Sequence, residues 1–490
     1  MRIEIARMQT VVKSVVKPVA VAVSFVVLSF ALGCGLIPLR PAWEEPPPAP
    51  IENAIVAANQ LHRVTLPNGV RLILLEDHRL PRVALGLTLA RGAGSVDPEF
   101  SGVADLATEV MQRGAGERDA LELAKFVEDA GASLGVSSGW DTTSISLSGL
   151  SEDRALLLEI LTDVAFRPKF DEAEFIKAQA EQQASIVGAQ DDPATLVRWH
   201  ALDTLFPEHR YGQPRAGTAE SVAGLDVEMA RAYWEDRFIA ENVILWAVGD
   251  FSAKTLIQDL RRLFGELPEG DQIPGIPATP VHTPESRRIV IVDKPDLLQA
   301  RIIVAHEGIA RTESTRIAVD LMNNALGGSG FSSRLMQTIR SKEGLTYGVG
   351  SGFSLRSQPG PFSVSTFTRV AKVRRVLDLI FAEMTAIQND RPVDETELRK
   401  FIGYNVGRFG LSLETSDAVL TSLVDLEIHG LSEDSLDTYR ARVREVSIED
   451  IADAAKRRLH PDRAAIIILG PAEVLVPELE DLGEIEVRQP

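Results

Sequence analysis

A long internal repeat is the feature that most constrains what this chain can fold into. Residues 225–249 and 446–470 align without gaps at an offset of 221 residues, and both stretches end at glycine, Gly249 and Gly470. Each stretch predicts a capped amphipathic helix, a loop and an apolar strand. Solenoid repeats recur about every 20 to 50 residues, so an offset of this length indicates a duplicated domain.

Each copy mixes strands and helices without strict alternation. Asn68-Gly69 predicts a hairpin turn between two strands, and residues 101–112 have the apolar spacing of a helix. This mixture favours an α+β fold over a doubly wound sheet. We therefore predict two homologous α/β-sandwich domains that face each other across a cleft. The predicted organisation is a signal segment at residues 1–34, a proline-rich spacer at 35–57, an N-terminal domain at 58–267, a linker at 268–287 and a C-terminal domain at 288–480.

Composition excludes several classes of protein. The 490 residues carry a formal net charge of −19, which argues against a broad nucleic-acid-binding surface. Cys34 is the one cysteine of the chain. Neither an intramolecular disulfide nor a cysteine-based zinc or iron–sulfur site can therefore form.

The N-terminal segment is typical of a secreted protein. A basic start precedes an apolar run at residues 19–32, and Gly33 leads directly to Cys34. The run is shorter than the roughly 18 apolar residues that indicate a membrane-spanning helix. The segment resembles a bacterial lipoprotein signal, which implies lipidation of Cys34 and a place in the bacterial cell envelope, as an outer-membrane lipoprotein in the periplasm. Ordinary signal cleavage and a retained anchor are the alternatives.

Several stretches resemble one enzyme family. They are Arg91-Gly-Ala-Gly-Ser, Gly102-Val-Ala-Asp-Leu, residues 206–214, Leu326-Gly-Gly-Ser-Gly-Phe-Ser-Ser-Arg-Leu and residues 340–347. Together they are similar to the insulinase/pitrilysin family of zinc metallopeptidases, in its two-domain, mitochondrial-processing-peptidase-like bacterial branch. The resemblance covers about residues 60 to 475 and implies the duplicated peptidase-like fold.

The zinc motif of that family is absent from this chain. Active members carry His-x-x-Glu-His on the first long helix, where two histidines bind zinc and the glutamate activates a water. Asp105 and Glu109 stand at the two histidine positions, and Thr108 stands at the glutamate position. By resemblance, a further glutamate downstream completes the zinc site, and its position falls on or near Ser185, with Glu181 one turn earlier. We predict no metal site in this chain. Asp105 and Glu109 could hold a hard cation such as calcium, but a solvated helix face is the favoured interpretation.

A second family element is retained. It lies where residues 333–342 predict a helix that ends at Gly344, followed by a strand over residues 345–353. Arg340 and Tyr347 match the Arg/Tyr pair that, by resemblance, reaches the zinc site from the second domain and steadies the substrate carbonyl. A guanidinium and a phenol are donors suited to a developing oxyanion. The alternative is that Arg340 is a surface charge and Tyr347 belongs to the core.

The resemblance implies a secreted, lipid-anchored subunit that is not a peptidase alone. It would pair with a zinc-binding insulinase-like subunit, in a heterodimer or larger assembly, and supply Arg340 and Tyr347 to cleavage of a peptide. No cofactor would be bound by this chain, since the zinc would lie in the partner. One alternative is a non-catalytic peptide-binding or scaffold protein on the same fold, and another is an independently active hydrolase with an altered metal site.

Overall fold

The computed structural model describes residues 55–56, 59–270, 275–276 and 285–490. The predicted signal segment with Cys34, and most of the predicted spacer and linker, lie outside the described residues. Within the described ranges, no helix is both long enough and apolar enough to cross a membrane.

The first half of the molecule is built around a six-stranded sheet with strand order β1-β2-β8-β3-β7-β6. A tight turn at Gly69, whose φ is +93°, joins the first two strands and confirms the predicted hairpin. The elements of this half are β1 Leu61–Thr65, β2 Arg71–Glu76, β3 Arg82–Leu89, α1 Val103–Met111, β4 Gly114–Ala115, β5 Arg118–Asp119, α2 Ala120–Asp129, β6 Ser133–Ser138, β7 Thr143–Leu150, α3 Arg154–Phe166, α4 Glu172–Gln190, α5 Pro193–Leu205, α6 Ala219–Ala223, α7 Val227–Arg237, β8 Val243–Gly249 and α8 Ala253–Phe264.

The second half is built around another six-stranded sheet, with strand order β11-β12-β10-β13-β9-β14. Two π-helical segments, Asn324–Gly328 and Met336–Lys342, lie between its first helix and β11. The elements are β9 Arg288–Asp293, β10 Gln299–Glu307, α9 Arg316–Asn323, β11 Val349–Phe353, β12 Pro361–Arg369, α10 Val373–Gln388, α11 Glu395–Ser412, α12 Ser416–Ile428, α13 Ser435–Glu445, α14 Ile448–Arg458, β13 Ala465–Gly470, α15 Ala472–Leu479 and β14 Glu484–Arg488.

The two sheets repeat one topology over five strands. Strands β2, β8, β3, β7 and β6 lie in the same order as β9, β13, β10, β12 and β11. The pair β2–β8 is parallel, as is β9–β13, and β3 is antiparallel to both of its neighbours, as is β10. The sheets differ at one edge, where β1 runs antiparallel to β2 but β14 runs parallel to β9. The predicted duplicated α+β fold is confirmed.

The repeat that the sequence reveals coincides with whole elements. Helix α7 spans Val227–Arg237 and helix α14 spans Ile448–Arg458, so both ends correspond at the 221-residue offset. Each helix begins at a residue whose side chain caps it, and each following strand ends at the glycine of the repeat.

Each sheet buries its two faces differently. One face packs against helices of the same half, and these two cores are the largest apolar clusters among the described residues. The other face is covered by a helix from the opposite half. Helix α5 packs on β10 and β13 of the second sheet, where Leu196 and Val197 meet Ile303 and Ile467.

Helix α12 makes the reciprocal contact. It packs on β2 and β8 of the first sheet, where Leu420 and Leu423 meet Ile73 and Ile244. Because a helix of each half covers the sheet of the other half, separating the halves would expose two apolar sheet faces. Burial of this kind stabilises by about 25 cal/mol per Å² of apolar surface, so the halves are held as one unit.

Candidate functional site

Helix α1 carries the three positions that correspond to the zinc motif. It begins after Gly102, which has φ of +99°, and packs against α4, α7 and β6. Thr108 is buried, and its hydroxyl donates to the carbonyls of Ala104 and Asp105 at 3.0 and 3.1 Å. The side chain at the position of the catalytic glutamate is therefore bonded to its own helix and has no acid or base function.

Asp105 lies mostly buried and forms an ion pair. Arg215 donates from Nη1 to Asp105 Oδ1 at 2.8 Å and also to the carbonyl of Ser138. Burial raises the pKa of Asp105, and the nearby Arg215 only partly opposes that effect. An arginine thus supplies the positive charge that this carboxylate requires.

Glu109 and Glu181 share a second arginine. Arg113 Nη2 lies 2.7 Å from Glu109 Oε1 and 2.5 Å from Glu181 Oε2. Burial opposes the charge on Arg113, yet the hydrogen bonds to Glu181 and Glu109 raise its pKa overall. Ser185, on the turn after Glu181, is exposed and carries no carboxylate.

These residues do not fit a zinc ion. A catalytic zinc site needs three protein ligands drawn from neutral imidazole, thiolate and carboxylate groups. Here Arg113 bridges Glu109 and Glu181, and Arg215 takes Asp105. Throughout the part of the chain that the structure describes, no group of three or more His, Cys, Asp or Glu residues is arranged to hold a metal ion.

Arg340 and Tyr347 lie in the second half, before β11. Arg340 belongs to the segment Met336–Lys342, and its guanidinium lies 4.4 Å above the ring of Phe331, which is itself exposed. Gly344, with φ of +62°, ends the segment as predicted.

Tyr347 lies in a loop rather than in a strand. The predicted strand over 345–353 begins only at Val349, because Thr346 bonds to the backbone of Gly348 and turns the chain. The Tyr347 side chain is 80% exposed, so the alternative that places it in the core is wrong. Neither Arg340 nor Tyr347 makes a side-chain hydrogen bond or ion pair within the described residues.

A cavity of about 830 Å³ lies between the two halves. One wall is the face of the first sheet formed by β3, β6, β7 and β8, and the opposite wall is helix α12 with residues 354–356. Trp140, Asp141, Arg356 and His429 line it. The zinc-motif positions, Arg340 and Tyr347 are not among its lining residues.

An ion network joins the halves at one end of this cavity. His429 Nε2 lies 3.8 Å from Asp141 Oδ2 of the first half, and His429 Nδ1 lies 3.3 Å from Asp425 Oδ1 of its own helix. Arg311 pairs with the same Asp425, and the backbone N–H of Ser357 donates to both oxygens of Asp141 at 3.2 Å. Burial disfavours the charged imidazole, but the two carboxylates raise the pKa of His429 to about 9.

An arginine–aromatic stack adjoins the network. The guanidinium of Arg356 lies 4.4 Å from the ring centre of Trp140 and 4.3 Å from that of Tyr211. Arg210 approaches Trp140 at 5.1 Å. The two rings meet edge to face, with centroids 5.2 Å apart.

Sequence reasoning missed four charged residues of these sites, namely Arg113, Arg215, Arg356 and His429. Arg215 and Arg356 act on residues that are distant in the chain, so no local pattern identifies them. Arg113 and His429 each also pair with an acidic residue four positions earlier, Glu109 and Asp425, and that spacing is a local signal. For Arg215 the available signal was chemical, because a carboxylate such as Asp105 on a helix that packs in the core requires a positive partner.

Two family models match consecutive stretches of the chain. The model described as insulinase, peptidase family M16, matches residues 71–219, and the model described as the peptidase M16 inactive domain matches residues 224–402. The chain therefore belongs to the insulinase/pitrilysin family of metallopeptidases, while lacking both histidines of its zinc motif.

Relatives and solved structures agree with this assignment. Uncharacterised zinc proteases of Streptomyces coelicolor and Bacillus subtilis are each 24% identical, over 84% of this chain and 90% and 98% of their own lengths. A Pseudomonas fluorescens structure titled as a peptidase M16 inactive domain is 25% identical, with a TM-score of 0.77 over 84% of this chain and 98% of the neighbour. A Helicobacter pylori protease shares the fold at 17% identity, with a TM-score of 0.75 over 84% of this chain and 99% of its own.

Proposed function

We propose that this chain is the non-zinc subunit of a two-chain peptidase. In this proposal a zinc-binding insulinase-like partner carries the metal and the catalytic water. The present chain supplies Arg340 and Tyr347 to that partner's site and helps to enclose the peptide. Alone, the chain cleaves nothing.

The contrast between the two candidate sites carries the proposal. Asp105, Glu109 and Glu181 are each paired with an arginine, so the remaining acidic groups near the zinc-motif positions are neutralised within the chain. The side chains of Arg340 and Tyr347, by contrast, make no hydrogen bond to any described residue, and Tyr347 projects into solvent. A side chain that leaves both ring and hydroxyl exposed is available to a second molecule.

The chemistry of the pair suits peptide cleavage. During attack of water on an amide, negative charge grows on the carbonyl oxygen, and donors placed at that oxygen stabilise the transition state. Arg340 offers a fixed cation and Tyr347 a neutral hydroxyl donor. The ring of Phe331 lies 4.4 Å from the guanidinium of Arg340, a cation–π contact that favours the charged group at this position.

We further propose that the protein works in the bacterial cell envelope. The basis is the N-terminal segment, in which an apolar run precedes Cys34, with a proline-rich spacer after it. A lipid on Cys34 would keep the subunit at the membrane, and the spacer would leave the peptidase-like halves free to meet the partner.

The test uses the full chain mixed with a histidine-motif partner. Arg340→Ala and Tyr347→Phe should each slow peptide cleavage by on the order of 10²–10³ in kcat, with little change in KM. Assembly, followed by size-exclusion chromatography, should not change. Lys342→Ala, which removes a neighbouring exposed cation, and Tyr404→Phe, which alters another tyrosine of the second half, are the matched controls.

The outcomes separate the alternatives. If both variants assemble with the partner and cleave at the wild-type rate, the pair is structural and the scaffold or peptide-binding function replaces this proposal. If the isolated chain cleaves peptides and a chelator abolishes that cleavage, the independently active hydrolase with an altered metal site is correct instead.

A further inference from the structure

We propose that the cavity between the halves binds a carboxylate carried on an apolar group, with Arg356 as the anion-binding residue. This inference goes beyond the proposed function, because it requires neither a partner subunit nor peptide cleavage. It rests on a buried cation, on the charges around it and on the remaining lining of the cavity.

The cation is the guanidinium of Arg356. The residue is only 8% exposed, and its Nε and Nη1 atoms are buried without a hydrogen-bond acceptor among the described residues. The rings of Trp140 and Tyr211 cover the guanidinium. Aromatic faces stabilise a cation, but they accept no hydrogen bond from the N–H groups in the plane of the guanidinium. Buried charges in proteins are normally paired, so an arginine left without a carboxylate indicates a missing anion.

The other charges that line the cavity already have partners. Arg82 forms a two-point pair with Asp417 at 2.9 and 3.0 Å. Arg311 pairs with Asp425, and the imidazole of His429 lies between Asp425 and Asp141.

Asp141 is the carboxylate that acts on Arg356 through space, but its oxygens already accept from the Ser357 N–H. With His429 protonated, the lining residues Arg82, Arg311, Arg356 and His429 carry one positive charge more than Asp141, Asp417 and Asp425. This excess of positive charge favours the binding of an anion.

The remaining lining residues indicate the chemistry of the rest of the ligand. Helix α12 presents Leu420, Val424 and Ile428 to the cavity, and Leu355 lies beside Arg356. On the sheet wall, alternate residues of β7 present hydroxyls, namely Ser144, Ser146 and Ser148. A volume of about 830 Å³ is that of a small-molecule or short-peptide site. A carboxylate at Arg356 with an aliphatic group against α12 matches both walls.

Two sources offer this chemistry: the C-terminus of a peptide and a free branched-chain organic acid. Calorimetric titration of the isolated full chain compares three probes, which are acetyl-alanyl-leucine, its C-terminal amide and 4-methylpentanoate. Trp140 and Trp246 line the cavity, so a change in tryptophan fluorescence gives a second readout of binding.

The wild-type protein should bind acetyl-alanyl-leucine at least about 10-fold more tightly than the amide, because the amide has no charge to pair with Arg356. If 4-methylpentanoate binds as tightly as the dipeptide acid, the natural ligand is a free organic acid. If it binds much more weakly, the ligand is a peptide C-terminus. Either result supports the carboxylate site.

Three variants test the role of Arg356. Arg356→Gln should lower the affinity for the acid by about 10-fold or more and abolish the preference over the amide. Arg356→Lys should retain only part of the affinity for the acid, since a lysine lacks the planar pair of N–H donors with which a guanidinium binds a carboxylate. The control is the double variant Lys125→Gln/Asp129→Asn, which removes an exposed ion pair outside the cavity lining without changing the net charge, and should bind within about 2-fold of wild type.

Two results would overturn the proposal. One is equal affinity of the wild type for acid and amide, or no binding of either, which needs no variant that could fail to fold. The other is an unchanged affinity in a folded Arg356→Gln protein. Neither result bears on Arg340 or Tyr347, so the proposed function would stand or fall separately.

Discussion

His429 should stabilise the docking of the two halves in a pH-dependent manner. Its imidazole lies between Asp141 of the first half and Asp425 of the second, and its side chain is only 8% exposed. These contacts raise the pKa of His429 from 6.5 to about 9. At 1.36 kcal/mol per pKa unit, the charged imidazole contributes up to about 3 kcal/mol to the stability of the folded state.

The sign of the effect follows from the direction of the shift. Because the folded protein holds the proton more tightly than the unfolded chain, the stabilisation is complete below pH 6.5 and is lost as the pH rises through about 9. His429→Gln should therefore lower the free energy of unfolding by up to about 3 kcal/mol at pH 6, and by clearly less at pH 9.5.

Urea unfolding of wild type and variant at the two pH values measures this difference. His78→Gln is the matched control, since His78 pairs with Asp250 at 2.6 Å on the open surface, where solvent screens the interaction. Its pH-dependent effect should be much smaller. NMR titration of labelled histidines gives the pKa directly, and Asp141→Asn should lower that of His429.

A His429 that titrates near 6.5 in the folded protein would contradict this prediction. So would a stability difference between wild type and His429→Gln that is the same at pH 6 and pH 9.5. Either result would mean that the carboxylates of Asp141 and Asp425 do not hold the imidazolium.

Three further predictions concern the repeat, the lost metal site and the N-terminus. Gly249→Ala should destabilise the protein by about 3 kcal/mol, because φ is +126° and a Cβ would lie 2.2 Å from the carbonyl oxygen of Arg82. At the equivalent position, a Cβ in Gly470→Ala would lie 3.1 Å from the end of the Leu475 side chain and 3.3 Å from the Ala300 Cβ, so urea unfolding should show a stability change of at most about 1 kcal/mol. Metal analysis of the purified protein should find no stoichiometric zinc, and a tightly held zinc that is lost in Glu109→Gln would contradict the arginine pairing seen on α1. Palmitate labelling of cells that express the full chain should be lost in Cys34→Ala, and an unlabelled wild type would remove the lipid anchor from the proposal.

The sequence by itself determines the elements and their duplication. Caps, apolar spacing and terminal glycines are local properties, which is why the residue limits of α7 and α14 correspond at both ends. The loss of the zinc motif is also readable from the sequence, because a metal ligand is a single residue whose identity can be checked. At Tyr347 local reasoning was insufficient, since hydrogen bonds of Thr346 turn the chain and delay the strand to Val349.

Only the tertiary structure decides which surfaces and charges meet. The apolar faces of α5 and α12 predict burial, but nothing local indicates that each covers the sheet of the opposite half. The pairing of Asp105 with Arg215, of Arg113 with Glu181 and of His429 with Asp141 likewise becomes visible only when the chain is folded. The pairs Glu109–Arg113 and Asp425–His429, in contrast, are four residues apart and could be found from the sequence. Helix periodicity acts over a few residues, whereas Arg215 lies 110 positions from Asp105, and Asp141 lies far from His429 in the other half. Contacts of that kind depend on how the two halves pack against each other in three dimensions.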